Sequence, residues 1–291
     1  TFYGGALEAD VPGVAAGGNV YAIRQVVIGE TDRLGVGAEA RYFDAQKTIY
    51  ALVDYVTTFG ALNIAMAQGT MQWPSGTTLN ILADYRRTPT LQLTNALVAD
   101  PSVSLDALIR QQGVAATRDQ AKALTPTSKV FLAGVTQLIG PRWQAGVDVR
   151  WSTLSGTPAI GLLPATPGTG GIMTYTVQVI GNGLTTMQDI LVLGGSILRG
   201  RSTDAEQANA TWRFSPIEVL QVEPGFRWYR QTDSSGQELK RFAPGLKVTW
   251  RVRERFFLEG EGVFERAHTV GTTTDESVDR FYYYVGWRWD F

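Results

Sequence analysis

Charged residues of one sign recur at alternate positions near the end of this chain. Lys247, Thr249, Arg251 and Arg253 form one such set, and Glu259, Glu261 and Glu265 form the next. Arg280, Arg288 and Asp290 share a parity in the last stretch. In extended backbone alternate side chains lie on one face, so adjoining strands would stand these residues in positive, negative and positive columns. Electrostatics gives the columns two uses. Cross-strand ion pairs would satisfy charge in a polar interior and stiffen the wall. Facing a water-filled path, the same residues would line a pore and tune its ion selectivity. The pore-lining candidates are Lys247, Arg251, Arg253, Glu259, Glu261, Glu265, Arg280 and Arg288. Their signs nearly cancel, so strong preference for anions or cations is not expected.

Other chemistry is thinly supplied. His268 is the only histidine, and it sits where a strand is expected to give way to a loop. No serine in a nucleophile setting adjoins it, so the chain is not expected to be an enzyme; a hydrolase is the lesser alternative. Asp275, Glu276 and Asp279 could surround a cation, but on a polar loop they read as a solvated acidic face. Gly168-Thr169-Gly170-Gly171 lacks the strand-to-helix setting that a phosphate loop needs. Cysteine is absent, which excludes disulfides and thiolate metal sites. No metal or cofactor is expected. A net charge of −1 gives no basis for a nucleic-acid partner.

The elements that would carry the columns are strands. Hydrophobic residues make up 44% of the 291 residues, and no run approaches the ~20 apolar residues of a spanning helix. That excludes helical spans and leaves room for a transmembrane barrel, whose alternating strands average to neutral hydropathy. Thr1 in place of an initiator Met points to a mature or fragmentary chain.

Strands are expected over 2–9, 19–28, 34–43, 47–58, 61–73 and 78–86. Val36, Ala38, Ala40 and Tyr42 oppose Glu39 and Arg41 in the third; alternation is poorer in the fourth and fifth. Residues 88–126 break the rhythm. Ser104 can cap a helix from Leu105 to about Gln112 that Gly113 ends, and Thr117 a second reaching about Leu124. Such a helical insertion would decorate the outer surface or constrict a barrel mouth. Strands resume over 128–139, 143–152, 173–182, 189–200, 206–214, 218–230, 240–253 and 256–266. Pro224 and Pro244 predict bulges or kinks within two of them.

The last stretch, FYYYVGWRWDF, alternates Phe281, Tyr283, Val285, Trp287, Trp289 and Phe291 against polar residues. Gly286-Trp287-Arg288-Trp289-Asp290-Phe291 resembles the C-terminal signal of Gram-negative outer-membrane barrels, with Gly286, Trp289 and Phe291 at the signal positions. The resemblance implies an all-β, antiparallel up-and-down transmembrane barrel in the bacterial outer membrane. It also implies lipid around the wall and the barrel-assembly machinery as a partner during biogenesis. Counting turns back from Phe291 puts 88–126, 154–171 and 268–278 on the outer rim. The corners at Trp73-Pro74, Gly140-Pro141-Arg142, Ser215-Pro216 and Arg253-Glu254-Arg255 then fall on the inner rim. Fifteen strands are countable, and because such barrels use even numbers, sixteen are expected in the intact barrel, or else fourteen.

Four stretches, 41–55, 82–97, 104–113 and 151–168, together resemble the C-terminal barrel of large envelope proteins that carry tetratricopeptide repeats ahead of it. That resemblance implies a periplasmic helical-repeat domain or envelope complex as partner. The functional expectation is a polar pore, porin-like or for export, or the membrane anchor of a larger assembly. A closed structural or adhesive barrel is the alternative.

Overall fold

Alternation dictates the fold. The computed structural model describes residues 1–290; Phe291, the last position of the signal-like stretch, lies outside them. The chain is all-β, an antiparallel up-and-down sheet of fifteen strands paired in sequence order. The strands are β1 (Phe2–Asp10), β2 (Ala16–Val27), β3 (Glu30–Phe43), β4 (Lys47–Val56), β5 (Ala61–Gln72) and β6 (Thr77–Arg87). A helical stretch, α1 (Leu105–Ala123), made of two helices meeting at Gly113, precedes β7 (Thr127–Ile139), β8 (Trp143–Leu154), β9 (Ile172–Asn182) and β10 (Ile190–Arg199). The remainder are β11 (Thr203–Ile217), β12 (Leu220–Asp233), β13 (Glu238–Arg253), β14 (Phe256–Val270) and β15 (Asp275–Trp289). Among the described residues no helix is long and apolar enough to cross a membrane.

Two compact units divide the chain. One comprises Thr1–Trp73, Thr78–Ala133 and Arg150–Ile172; the other comprises Pro74–Thr77, Gly134–Val149 and the chain from Met173 on.

In the first unit Val36, Ala38, Ala40 and Tyr42 of β3 stand opposite Tyr55, Val53, Ala51 and Ile49 of β4. Cross-strand partners share a face, so these residues build one apolar surface. It is uncovered: Val36, Ile49, Val53 and Tyr55 are all exposed. The other face carries Tyr21, Glu39, Arg41 and Asp54. A register shift opposite Asp54 and Tyr55, where Asn63 is the extra residue of β5, explains the blurred alternation of β5, because a bulge exchanges the faces.

The segment 88–126 is ordered within this unit. A 3-10 turn at Leu93–Ala99 leads to α1, where Ser104 accepts a hydrogen bond from the amide of Ala107 at 3.2 Å. Gly113 interrupts the helix at φ 84, a left-handed value that suits glycine. A second helix does follow, but it begins directly after Gly113 and is not capped by Thr117. Thr117 is buried inside the helical stretch, and its hydroxyl donates back to the Gly113 carbonyl at 2.8 Å, a bond that competes with capping. Leu91, Leu93 and Ala96 are fully buried, and Leu91 packs with Val56, Ala61 and Phe59.

In the second unit Trp250, Leu258 and Trp287 form one cross-strand row, and Phe256 and Trp289 another. Rings meet along the turn-side end of this face: Trp212 stacks on Phe214 at 4.3 Å, and Phe256 lies 5.7 Å from Trp289. The face is open, with Val285 81% and Tyr283 78% exposed. Three expectations need correction. The mid-strand prolines produce no register shift, since Pro224 pairs with Leu246 and Pro244 with Phe226 along an unbroken β12–β13 ladder. Each proline turns its missing donor to its other neighbour, where pairing skips and resumes in the same register. The shifts occur instead near strand ends, at Phe214/Ile217 and Arg251/Arg253. The expected loop 268–278 is mostly strand, so His268 lies within β14 opposite Lys240 and Ser277. Ser215 and Pro216 likewise belong to β11 rather than to a turn.

Candidate functional site

Side-chain parity assembles the charged columns on one face of the second unit. Lys247 stands opposite Glu261 in β14 and Glu223 in β12. Thr249 is opposite Glu259, and Arg251 opposite Phe257. On the other side of β14, Glu265 faces Arg280, Glu261 faces Tyr284 and Glu259 faces Gly286. Ion pairs form between these columns. Arg280 reaches Glu265 at 3.5 Å, and Arg288 reaches Glu259 diagonally at 3.1 Å while lying over the Phe257 ring at 4.5 Å. Lys247 and Glu261, though opposed, form no ion pair within the described residues.

Arg253 departs from the column. The bulge after Arg251 brings it opposite Phe256, whose partner across β15 is Trp289. It therefore belongs to the apolar face at the strand end, because one extra residue reverses parity. Of the signal residues, Gly286 has a clear steric reason: a Cβ there would sit 2.0 Å from the Tyr284 hydroxyl. Trp289 packs beside Phe256 on the apolar face.

Sequence reasoning missed part of this face. Arg213 of β11 pairs with Glu223 of β12 at 3.0 Å. Above that pair a cavity of about 550 Å³ is lined by Arg227, Arg241, Tyr229, Asn209 and Glu265, among others. Alternation through Glu223, Gly225, Arg227, Tyr229 and Gln231 could have revealed it, had Pro224 not suggested a break.

The first unit carries a second polar assembly that the sequence did not announce. Asp54 is 1% exposed and accepts from Arg33 at 2.7 and 2.8 Å, from the Tyr21 hydroxyl at 2.8 Å and from Asn63 at 2.9 Å. Tyr21 reaches it by lying across Gly37, where a Cβ would meet the ring at 2.2 Å. Asn63 turns its carbonyl oxygen to the amide of Leu91 at 2.9 Å, and Asp32 accepts from the amide of Thr94 at 2.8 Å. Farther along, Arg87 donates to the Thr125 carbonyl at 3.2 Å and Gln120 to the Ala96 carbonyl at 3.0 Å. Buried acids with several donors are fixed in place. This assembly fastens segment 88–126 to the strands beneath it.

His268 pairs with Asp275 at 2.9 Å, both partners exposed, and beside them Arg266 grips Asp279 with two bonds of 2.8 Å. Asp275 and Asp279 are thus engaged by His268 and Arg266 of the chain itself. Among the described residues no group of His, Cys, Asp and Glu is arranged to hold a metal.

No family model and no curated protein matches the chain. Solved structures of similar extent are forms of OmpT, an outer membrane protein of Vibrio cholerae. The in-vitro folded form is 8% identical, with a TM-score of 0.37 over 98% of this chain and 97% of that one. The trimer form is 10% identical with a TM-score of 0.42, covering 99% and 98%. A loop L8 deletion mutant is also 10% identical, with a TM-score of 0.30 over 99% and 98%. Scores this low carry no argument about family or activity.

Proposed function

We propose that this chain forms a membrane-spanning β-barrel of the bacterial outer membrane whose charged face lines a polar pore. The observation that carries the reading is the two-sidedness of the strands. In β13 the positions from Phe242 to Val252 on one face are apolar or proline, and Phe242, Leu246, Trp250 and Val252 are exposed. At ~3.3 Å per residue they cover roughly 33 Å of strand, or about 25 Å along a membrane normal at a tilt of ~40°. An uncovered apolar band of that height, edged by tryptophan, suits lipid. Water suits the opposite face, with its half-exposed ion pairs. Antiparallel closure needs an even number of strands, so the closed form has sixteen, or else fourteen. Outer-membrane lipid surrounds it, and the barrel-assembly machinery inserts it.

One observation favours the second reading, a plugged barrel that anchors a larger envelope assembly. Segment 88–126 is clasped by a buried network rather than left free in solvent. In that reading a periplasmic helical-repeat domain does the work.

Refolding into micelles followed by gel electrophoresis with and without boiling tests the membrane reading. A heat-dependent shift in migration is expected. A chain that folds and stays soluble without detergent refutes it.

A further inference from the structure

The cavity in the second unit holds two guanidinium groups that no acid neutralises. Arg227 stands opposite Ala243 and Arg241 opposite Tyr229, which makes the two arginines diagonal neighbours, roughly 7–8 Å apart at the Cα level. Three arginines on this face have carboxylate partners: Arg213 has Glu223, Arg280 has Glu265, and Arg288 has Glu259; Arg251, outside the cavity, has none among the described residues. Arg227 and Arg241 have none among the described residues. Glu265, the carboxylate lining the cavity, is engaged by Arg280. Like charges at this spacing repel, and a bound anion would relieve them.

The surroundings add hydroxyl-recognising groups. Asn209 lies opposite Arg227 and Gln207 opposite Tyr229. The Tyr229 hydroxyl donates to the Gln231 carbonyl oxygen at 2.5 Å, which leaves the Gln231 amide hydrogens to donate elsewhere. Ala243, buried opposite Arg227, keeps the floor open. A volume of about 550 Å³ is of the size that takes a small solute.

We propose that this cavity is a binding subsite for a hydroxylated oxyanion, a sugar-sized solute bearing a carboxylate or phosphate. Arg227 and Arg241 grip the oxyanion through the paired N–H geometry that suits planar acids, and the amides take its hydroxyls. The near-neutral columns below do not select charge, so whatever anion preference the face has resides here.

Isothermal titration of the full chain, folded in micelles, with glucuronate, glucose 6-phosphate and glucose tests the proposal. The two anions are expected to bind, and glucose to bind at least about tenfold more weakly. Charge-assisted hydrogen bonds of the usual strength mean that R227Q and R241Q each weaken anion binding about tenfold or more. A243L, which keeps both charges but fills the floor, is expected to abolish binding and serves if the arginine variants fail to fold. Preference between the two anions tells carboxylate from phosphate. The proposal is overturned if neither anion binds, if glucose binds equally well, or if correctly folded R227Q/R241Q or A243L binds as before. Binding here does not require conduction. A chain that conducts without binding loses the subsite alone, and one that binds without conducting loses the pore alone.

Discussion

Acids in the two units meet opposite fates. Asp54 is sealed from solvent with donors from Arg33, Tyr21 and Asn63. Glu259 and Glu265 pair with arginines whose side chains are 53% and 54% exposed. The first arrangement fixes one geometry, because Asp54 and Asn63 are buried, Arg33 and Tyr21 partly so, and removal of one strands the others. The second is nearly neutral in energy, since water competes for each ion, and it leaves the charges able to meet a passing solute. The comparison separates a buried clasp from an open charged face on physical grounds.

The sharpest way to break the contrast is Asp54→Ala. It strands Arg33, whose side chain is only 15% exposed, and should cost about 3–5 kcal/mol, measured by denaturant unfolding in micelles. The same variant should speed tryptic cleavage within 88–126 at Arg110, Arg118 or Lys122. Unchanged stability would show that Asp54 is no clasp. Leu91→Ala empties a fully buried site and should cost about 2–5 kcal/mol, with a similar gain in protease sensitivity.

Legibility followed the same division. The apolar and charged faces of β11 to β15 are readable because period two runs through them, and the columns at Lys247, Glu259 and Arg280 follow from parity alone. Arg253 was misplaced because a bulge at Arg251/Arg253 leaves no mark in the sequence. The bulges expected at Pro224 and Pro244 were wrong because a proline in an antiparallel strand loses a donor toward only one neighbour. Asp54 was illegible for a third reason. Its partners Tyr21, Arg33 and Asn63 come from three other strands, and no local pattern joins them.

Smaller effects sharpen the lining. Glu259→Gln and Glu265→Gln should each change stability by only about 0–1 kcal/mol, while shifting the reversal potential of the conducting chain toward anions. A loss of several kcal/mol would make the pairs structural instead. Deleting 100–126 should raise single-channel conductance if the clasped segment narrows the path; an unchanged current would deny it that role.

The smallest effect concerns pH. Asp189 lies in the connection between β9 and β10. Burial pushes its carboxyl up, but donation from the Thr185 hydroxyl and from the amides of Thr185, Leu184 and Thr186 outweighs this and holds it at about 2. A depressed value means that the contribution to stability is complete above the unfolded carboxyl's value of about 3.9 and disappears as pH falls toward 2. Asp189→Asn should therefore reduce the acid-side dependence of the wild type between about pH 4 and 2 by one carboxyl's share, read as the difference in unfolding midpoint between the two proteins. An identical acid profile would assign that dependence elsewhere.

The pore reading is tested most directly by single-channel recording of the refolded chain in planar bilayers. Stable current steps with weak preference between small cations and anions are expected. A chain that is folded by its heat-dependent migration yet carries no current would contradict the pore and leave the anchored, plugged barrel standing.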